Sequence, residues 1–294
     1  MIVVTTPTGR IGRQLVTALL DAGAPVRVIA RDPSRIAPEV RERIEIVTGS
    51  HGDRAVVDEA FAGADAVLWL RPPDIRAPSL ESAYLDFTRT ACDAFVRHGV
   101  ARVVGISSLG RGIPGDHGLV SMSLAMDDLI AGSGVAYRAL TMPSFMDNVL
   151  EQAPSLAHDG VFFGTAPGDH KRPTCATKDI AAAAARLLLD DSWRGRGEVP
   201  VLGPEDLSQE EMAVILSEVL SKPVRYQEVA VPVFRARLLE QGWSEAMAQG
   251  MAAMMAAKND GLDNAEPRTP EATTPTTFRQ FCQEVLAPAV RAAG

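Results

Sequence analysis

Cysteine is scarce in this 294-residue chain. Cys92, Cys175 and Cys282 are scattered and odd in number, and no C-x-x-C pair occurs. That argues against a disulfide framework and against a zinc site, and it fits a reducing, cytoplasmic setting. No metal is expected. Long apolar runs are missing as well. None approaches the ~20 residues that span a bilayer, so no membrane partner is expected. The N-terminus has no basic segment ahead of a long apolar stretch, and no signal peptide is read there. Basic clusters are also absent. The net charge is −8 and no basic stripe occurs, which argues against nucleic acid as a direct partner. Lysine is rare, 4 residues against 25 arginines. With abundant alanine, this points to a GC-rich genome rather than to a function.

The most informative positive feature lies at the start. Ile2-Val3-Val4 is a short β-rich apolar run, and Thr5-Thr6-Pro7-Thr8-Gly9-Arg10-Ile11-Gly12 follows as a small-residue turn. Ile11, Leu15, Ala18, Leu19 and Ala22 then recur at helical spacing until Gly23. A glycine-rich turn between a strand and a helix N-terminus offers bare backbone N–H groups and the positive end of the helix dipole, which suit a pyrophosphate. Gly9 lets the backbone approach the phosphates, and Gly12 lets the helix pack close to the sheet. The usual fingerprint has three glycines, and Thr6 stands where the first belongs. Pro7 is expected to hold Thr6 extended.

Strand and helix patterns alternate from there. Strands are predicted at 26–30, 44–47, 66–70, 103–107 and 137–140, with helices over 54–61, 80–98 and 122–131. Cys92, within the second of these helices, is expected to be buried and inert. This βαβ rhythm predicts an α/β fold with a doubly wound, Rossmann-like parallel sheet. Its ligand crevice should lie at the carboxyl ends of the strands. The second half is expected to be mostly helical. A loop and an alanine-rich helix cover 173–189, and a further strand is read at 199–202. A capping box at Ser208-Gln209-Glu210-Glu211 opens a helix to 220. Helices follow over 233–241, 244–258 and 277–286. Met247, Met251, Met254 and Met255 share helical spacing and are read as core. The expected domains are 1–150, with 173–202 returning to it, and a smaller part over 151–294.

In order along the chain, several short segments together resemble one family. They are the opening turn, Ile29-Ala30-Arg31-Asp32-Pro33-Ser34, Gly63-Ala64-Asp65-Ala66-Val67, Ser107-Ser108, Ser133-Gly134-Val135-Ala136-Tyr137, Pro143-Ser144-Phe145-Met146-Asp147-Asn148, Asp179-Ile180-Ala181 and Pro275-Thr276-Thr277-Phe278. The chain resembles the NmrA-like proteins, atypical short-chain dehydrogenases. The resemblance covers nearly the whole chain and implies a Rossmann domain binding NAD(P), with a smaller C-terminal part closing over the substrate.

Cofactor choice turns on the end of the second strand. An acidic residue there favours the ribose 2′-hydroxyl of NAD(H), and an arginine favours the 2′-phosphate of NADP(H). Arg31 and Arg35 point to NADP(H), while Asp32 leaves NAD(H) open. The expected cofactor set is Thr6, Thr8, Gly9, Arg10, Ile11, Gly12, Arg31, Arg35, His51, Leu70, Arg71, Pro72, Ser107 and Pro143. The plainer reading of His51 is an exposed turn residue.

Typical short-chain dehydrogenases use a Tyr-x-x-x-Lys pair, in which lysine lowers the tyrosine pKa. Here Thr88, Thr141 and Ala230 stand four residues after Tyr84, Tyr137 and Tyr226, so no such pair exists. Ser108 and His117 remain as catalytic candidates. His117 sits in a glycine-rich loop over 110–118, and its plainer reading is an exposed loop residue. Phe145, Met146 and Asn148 are the substrate candidates. The resemblance implies a reductase for a quinone-like or other small aromatic acceptor, because a quinone needs no strong enzymic acid. Two alternatives stay open: a non-catalytic NAD(P)-binding redox sensor, and an unusual redox enzyme of aromatic secondary metabolism. Oligomeric state is not legible.

Overall fold

A computed structural model describes residues 1–294. Its strands are, in chain order, β1 Ile2–Thr5, β2 Val26–Ala30, β3 Glu45–Thr48, β4 Ala66–Trp69, β5 Arg102–Ser108, β6 Ala136–Met142, β7 Ser144–Phe145, β8 Val161–Gly164, β9 Arg172–Cys175, β10 Arg196–Pro200, β11 Asp206–Leu207 and β12 Arg225–Glu228. The chain forms two compact units. The first comprises Met1–Ser108, Ser121–Thr141 and Ile180–Val199, and the second Leu109–Val120, Met142–Asp179 and Pro200–Gly294.

The first unit is built on a mostly parallel, Rossmann-like sheet of seven strands in the order β10-β6-β5-β4-β1-β2-β3. The pairs β1–β2, β2–β3, β1–β4 and β4–β5 are parallel. All four residues of β4 are buried, as a strand covered on both faces requires. The helix Arg10–Asp21 turns Ile11, Leu15, Val16, Leu19 and Leu20 inward. Phe61 and Phe95 stack at 5.0 Å in the layer that covers the sheet. The order reverses between β1 and β4, so the carboxyl ends of these two strands mark the switch point where such sheets take ligands.

The helix expected over 80–98 is interrupted by a π-turn at Ser82–Asp86 before Phe87–Arg97. Thr88 donates to the Tyr84 carbonyl at 2.6 Å and accepts from the Trp69 indole, an inserted hydroxyl that accompanies the local widening.

In the second unit, β11-β9-β7 form one small sheet and β12-β8 another. No periodicity announces these strands. They are two to four residues long, and Arg225-Tyr226-Gln227-Glu228 is wholly polar. The strand expected at 199–202 begins earlier, at Arg196, and ends at Pro200. Leu202 leaves it because its N–H donates to the Ala272 carbonyl and its own carbonyl accepts from Thr274. The core of this unit gathers Met146, Leu156, Phe162, Leu216, Phe278, Phe281 and Leu286. The capping box forms as its spacing predicts. Ser208 Oγ accepts from the Glu211 N–H at 3.1 Å, and Glu211 accepts from the Ser208 N–H at 2.9 Å. Of the methionine stripe only Met247 is buried, and Met251, Met254 and Met255 are half-buried. No helix is long and apolar enough to cross a membrane.

Candidate cofactor and catalytic site

The opening turn has the geometry a dinucleotide phosphate needs. Gly9 is the N-cap of the helix Arg10–Asp21 and has no side chain to cap it, and no acidic residue occupies the first turn. This helix N-terminus, with neither a side-chain cap nor a nearby carboxylate, offers the positive end of its dipole to an anion. The Gly9 N–H closes the turn on the Thr6 carbonyl at 3.1 Å. A Cβ on Gly12 would lie 2.2 Å from that carbonyl, whereas one on Gly9 would lie 3.4 Å away. Gly12 is thus required for helix-to-turn packing, while Gly9 keeps open the surface above the turn. Thr6 departs from expectation. Its φ is +51°, in the left-handed region rather than extended. The tight closure against Gly12 overrides the preference that Pro7 imposes. A β-branched residue is strained there by about 1–3 kcal/mol. Its buried Oγ1 also has no hydrogen-bond partner. Thr8 and Arg10 are half-buried beside the turn, and Ile11 is buried beneath it.

At the end of β2, Arg31 and Arg35 are exposed. Asp32 between them is engaged locally. Its carboxylate accepts from the Ser34 N–H at 3.0 Å and the Ser34 hydroxyl at 2.6 Å, which hold its pKa below the ordinary value. Arg35 lines a hollow of about 570 Å³ with Pro7, Thr8, Arg13 and Gln14. Arg13 was missed from sequence. It lies three residues after Arg10, on the first turns of the helix, and nothing in its spacing separates it from a solvated arginine.

The ends of β1 and β4 are tied together. Thr5 Oγ1 donates toward the Leu70 carbonyl at 3.0 Å and accepts from the Leu70 N–H at 2.8 Å. His51 joins them and is not the exposed turn residue expected. It is 6 % exposed, edge-on to Trp69 and Phe87. Its Nε2 lies 3.1 Å from the Leu70 carbonyl. Since a carbonyl only accepts, Nε2 carries a proton. Burial pushes its pKa down to about 4, against the opposing effect of this hydrogen bond. His51 therefore shapes the wall behind Leu70 and does not serve as an acid at neutral pH. Arg71 lies flat on the Tyr84 ring at 3.4 Å and donates to the Pro72 carbonyl at 3.1 Å. Leu70, Arg71 and Pro72 are half-buried at this edge.

At the end of β5 the two serines part. Ser107 is 6 % exposed and donates to Asp127 Oδ2 at 2.5 Å, and Tyr137 donates to Asp127 Oδ1 at 2.6 Å. Asp127, unforeseen from sequence, is buried on the helix Leu119–Gly132 and anchors both hydroxyls. A Cβ on Gly105 would lie 1.9 Å from the Tyr137 oxygen, so the glycine makes room for this network. Ser107 is thus engaged inside the protein, whereas Ser108 is half-buried at the strand end. Tyr226 is also held, donating to the Ala166 carbonyl at 2.7 Å, with burial pushing its pKa up to about 12.

The remaining candidates belong to the second unit. His117 is half-buried, with Nε2 3.3 Å from the Ile113 carbonyl. Together with Asp116, Ala253, Asp260 and Leu262 it lines a shallow hollow of about 400 Å³. Pro143 is buried, Phe145 is half-buried and Asn148 is exposed. Met146, a substrate candidate from sequence, is 1 % exposed and packs in the core of this unit, so it presents no surface to a ligand. Asp147 beside it accepts from the Thr177 N–H at 2.9 Å and its hydroxyl at 2.6 Å. Cys92 and Cys282 are buried thiols with pKa values pushed up to about 12, and burial raises that of Cys175 as well, so none is poised as a nucleophile.

Residues 7–191 match the model of a family described as NAD(P)H-binding. A reductase of (4-alkanoyl-5-oxo-2,5-dihydrofuran-3-yl)methyl phosphate from Streptomyces griseus is 34% identical over 81% of this chain and 80% of its own length. Quinone oxidoreductase 2 of Escherichia coli is 26% identical over 86% of each chain. Among solved structures, a nucleoside-diphosphate-sugar epimerase from Staphylococcus aureus superposes with a TM-score of 0.81 at 20% identity, over 96% of this chain and 99% of that one.

Proposed function

We propose a substrate class for this chain on one premise: the chain belongs to the NAD(P)H-binding family and is an NAD(P)H-dependent oxidoreductase. Its acceptor is a quinone-like or other conjugated, aromatic small molecule, reduced without an enzymic tyrosine acid. One observation carries the reading. The chain lacks Tyr-x-x-x-Lys, and two of its three tyrosine hydroxyls are committed elsewhere. Tyr84 is buried under Arg71, Tyr137 is bonded to Asp127 and Tyr226 to a backbone carbonyl. A simple ketone needs an acid at its oxygen as hydride arrives. A quinone spreads that charge over an aromatic ring, and hydrogen bonds or solvent protons suffice. A relative supports an acceptor of this kind, since it is a quinone oxidoreductase.

When bound, NAD(P)H supplies the hydride. The chain's own residues do the rest. The Gly9–Gly12 turn holds the pyrophosphate, Arg31 and Arg35 read the 2′-phosphate, and the Leu70–Pro72 edge bounds the nicotinamide ribose. NADP(H) is the preferred cofactor, because Arg31 and Arg35 flank the end of β2 and suit a 2′-phosphate, while Ser34 engages one oxygen of Asp32. Ser108 is the hydroxyl free of the Asp127 network at the end of β5 and is assigned to the acceptor oxygen. Phe145 and Asn148 are assigned to the acceptor, and Met146 is withdrawn.

The test follows nicotinamide absorbance with purified protein, NADPH or NADH, and a panel of quinones. Arg31→Ala is expected to weaken NADPH by roughly 1.5–3 kcal/mol, the scale of a hydrogen bond to a charged group, and to leave NADH nearly unchanged. Ser108→Ala is expected to lower kcat by roughly 10–1000-fold, as loss of an oxyanion donor does. Tight NADPH binding with no turnover on any acceptor would replace this reading with that of a redox sensor.

A further inference from the structure

Strand β9 presents a cation without a matching anion. Side chains alternate along a strand, so Arg172 and Thr174 share one face while Pro173 and Cys175 are buried on the other. Ser144 of β7 pairs with Thr174, which places its hydroxyl on the Arg172 face as well. Arg172, Thr174 and Ser144 are all half-buried. Their Cα atoms lie within about 5–7 Å of their neighbours by strand spacing. The guanidinium makes one hydrogen bond, a long one of 3.5 Å to Asn259 Oδ1. Asn259 is itself fixed, donating to the Thr165 carbonyl at 2.6 Å. The carboxylate that acts on it electrostatically is Asp263, which forms no salt bridge with it and is held by Lys258 with bonds of 2.6 and 2.7 Å. Tyr226 also faces Arg172, with its hydroxyl committed to the Ala166 carbonyl. Neighbouring Lys171 is exposed and paired with Glu211. Burial lowers the Arg172 pKa, against the opposing pull of Asp263. None of its nitrogens is among the sealed, unpaired polar atoms, so the remaining donors stay accessible.

We propose that Arg172, with the Ser144 and Thr174 hydroxyls beside it, binds an oxyanion substituent of the substrate, a carboxylate or a phosphate monoester. A guanidinium has five donors in a planar fork that matches two oxygens of such a group. The two hydroxyls on the same face add donors for further oxygens. In a chain of net charge −8, a cationic point of this kind also selects where an acidic ligand docks. The word "substrate" rests on the reductase reading above. Anion binding itself does not, and its test reads no turnover.

The test is calorimetry on the full chain saturated with NADP⁺, using benzyl phosphate, phenylacetate and neutral benzyl alcohol. One anion should bind about 10–100-fold more tightly than the alcohol, and Arg172→Gln should abolish that margin. Which anion wins identifies the substituent. Equal affinities for all three probes in the wild-type protein, or a folded Arg172→Gln variant that keeps the margin, would overturn the proposal. A second measurement needs no charge-removing variant. In protein labelled with ¹⁵N-arginine, the Arg172 Nε–H resonance, identified by its absence in Arg172→Lys, should shift with the winning anion and stay still with benzyl alcohol. A resonance that ignores every anion refutes the site. If quinones are not reduced but the anion margin holds, the reductase reading fails and this site stands.

Discussion

The two units handle buried polarity in opposite ways. In the first unit most buried polar groups are uncharged, among them Thr5, the neutral His51, Thr88 and Ser107; Arg102 and Asp127 are buried charges, the latter satisfied by two hydroxyls. The second unit buries Asp147, Asp179 and Asp263 together with Lys258. Two of these carboxylates repeat one device. Asp147 takes the N–H and hydroxyl of Thr177, and Asp179 takes those of Thr276. Each thus fastens one chain segment to another. The contrast follows from what each unit has to do. A dinucleotide's phosphates are bound by backbone N–H groups, so the first unit needs a precise turn and little charge. The strands of the second unit are only two to four residues long, and buried carboxylates fasten the segments around them.

The first way to sharpen this contrast is to break the buried pair of the second unit. Lys258→Met leaves Asp263 buried without its partner and should cost about 3–5 kcal/mol in denaturant unfolding. The double variant Lys258→Met/Asp263→Leu should recover most of that loss. A single variant with wild-type stability would show that the pair is not sealed from water.

The second acts on the first unit through pH. The pKa of His51 is depressed from 6.5 to about 4 in the folded protein, so the unfolded chain takes up its proton first. This contribution is complete above about pH 6.5 and is lost as pH falls toward 4, reaching roughly 3 kcal/mol. His51→Gln should therefore show a flatter dependence of Tm on pH across that window. Parallel curves for the two proteins would contradict a buried neutral imidazole.

The third and smallest in stability separates the two turn glycines. Gly12→Ala sets a Cβ against the Thr6 backbone and should destabilise by about 1–3 kcal/mol while abolishing NADPH binding. Gly9→Ala meets only ordinary contact, so it should fold normally and lose NADPH affinity alone. Equal melting temperatures for the two variants would mean that the helix can move off the turn freely.

Much of the first unit was legible because its signals are local. Ile2-Val3-Val4 and Ala66-Val67-Leu68-Trp69 are apolar on both faces, and the period of the first helix is unambiguous. The small strands of the second unit were not, since Ser144-Phe145 or Asp206-Leu207 becomes a strand only when a partner is brought alongside. The site divided in the same way. As candidates, Gly9 and Gly12 could be named from a strand–turn–helix pattern, and Arg31 and Ser108 from their places at strand ends. The burial of His51 and Met146, the left-handed Thr6 and the anchoring role of Asp127 could not.

What the sequence determined by itself was the α/β order, the glycine turn before the first helix, the capping box at Ser208 and the lack of a tyrosine–lysine pair. Each depends on residues within a few positions of one another, where spacing alone decides which groups meet. The tertiary structure decided which of two adjacent serines is engaged, since Ser107 meets Asp127 twenty residues away. It also decided that Asp263 is hydrogen-bonded to Lys258, because a buried charge takes its partner from whatever the fold sets beside it.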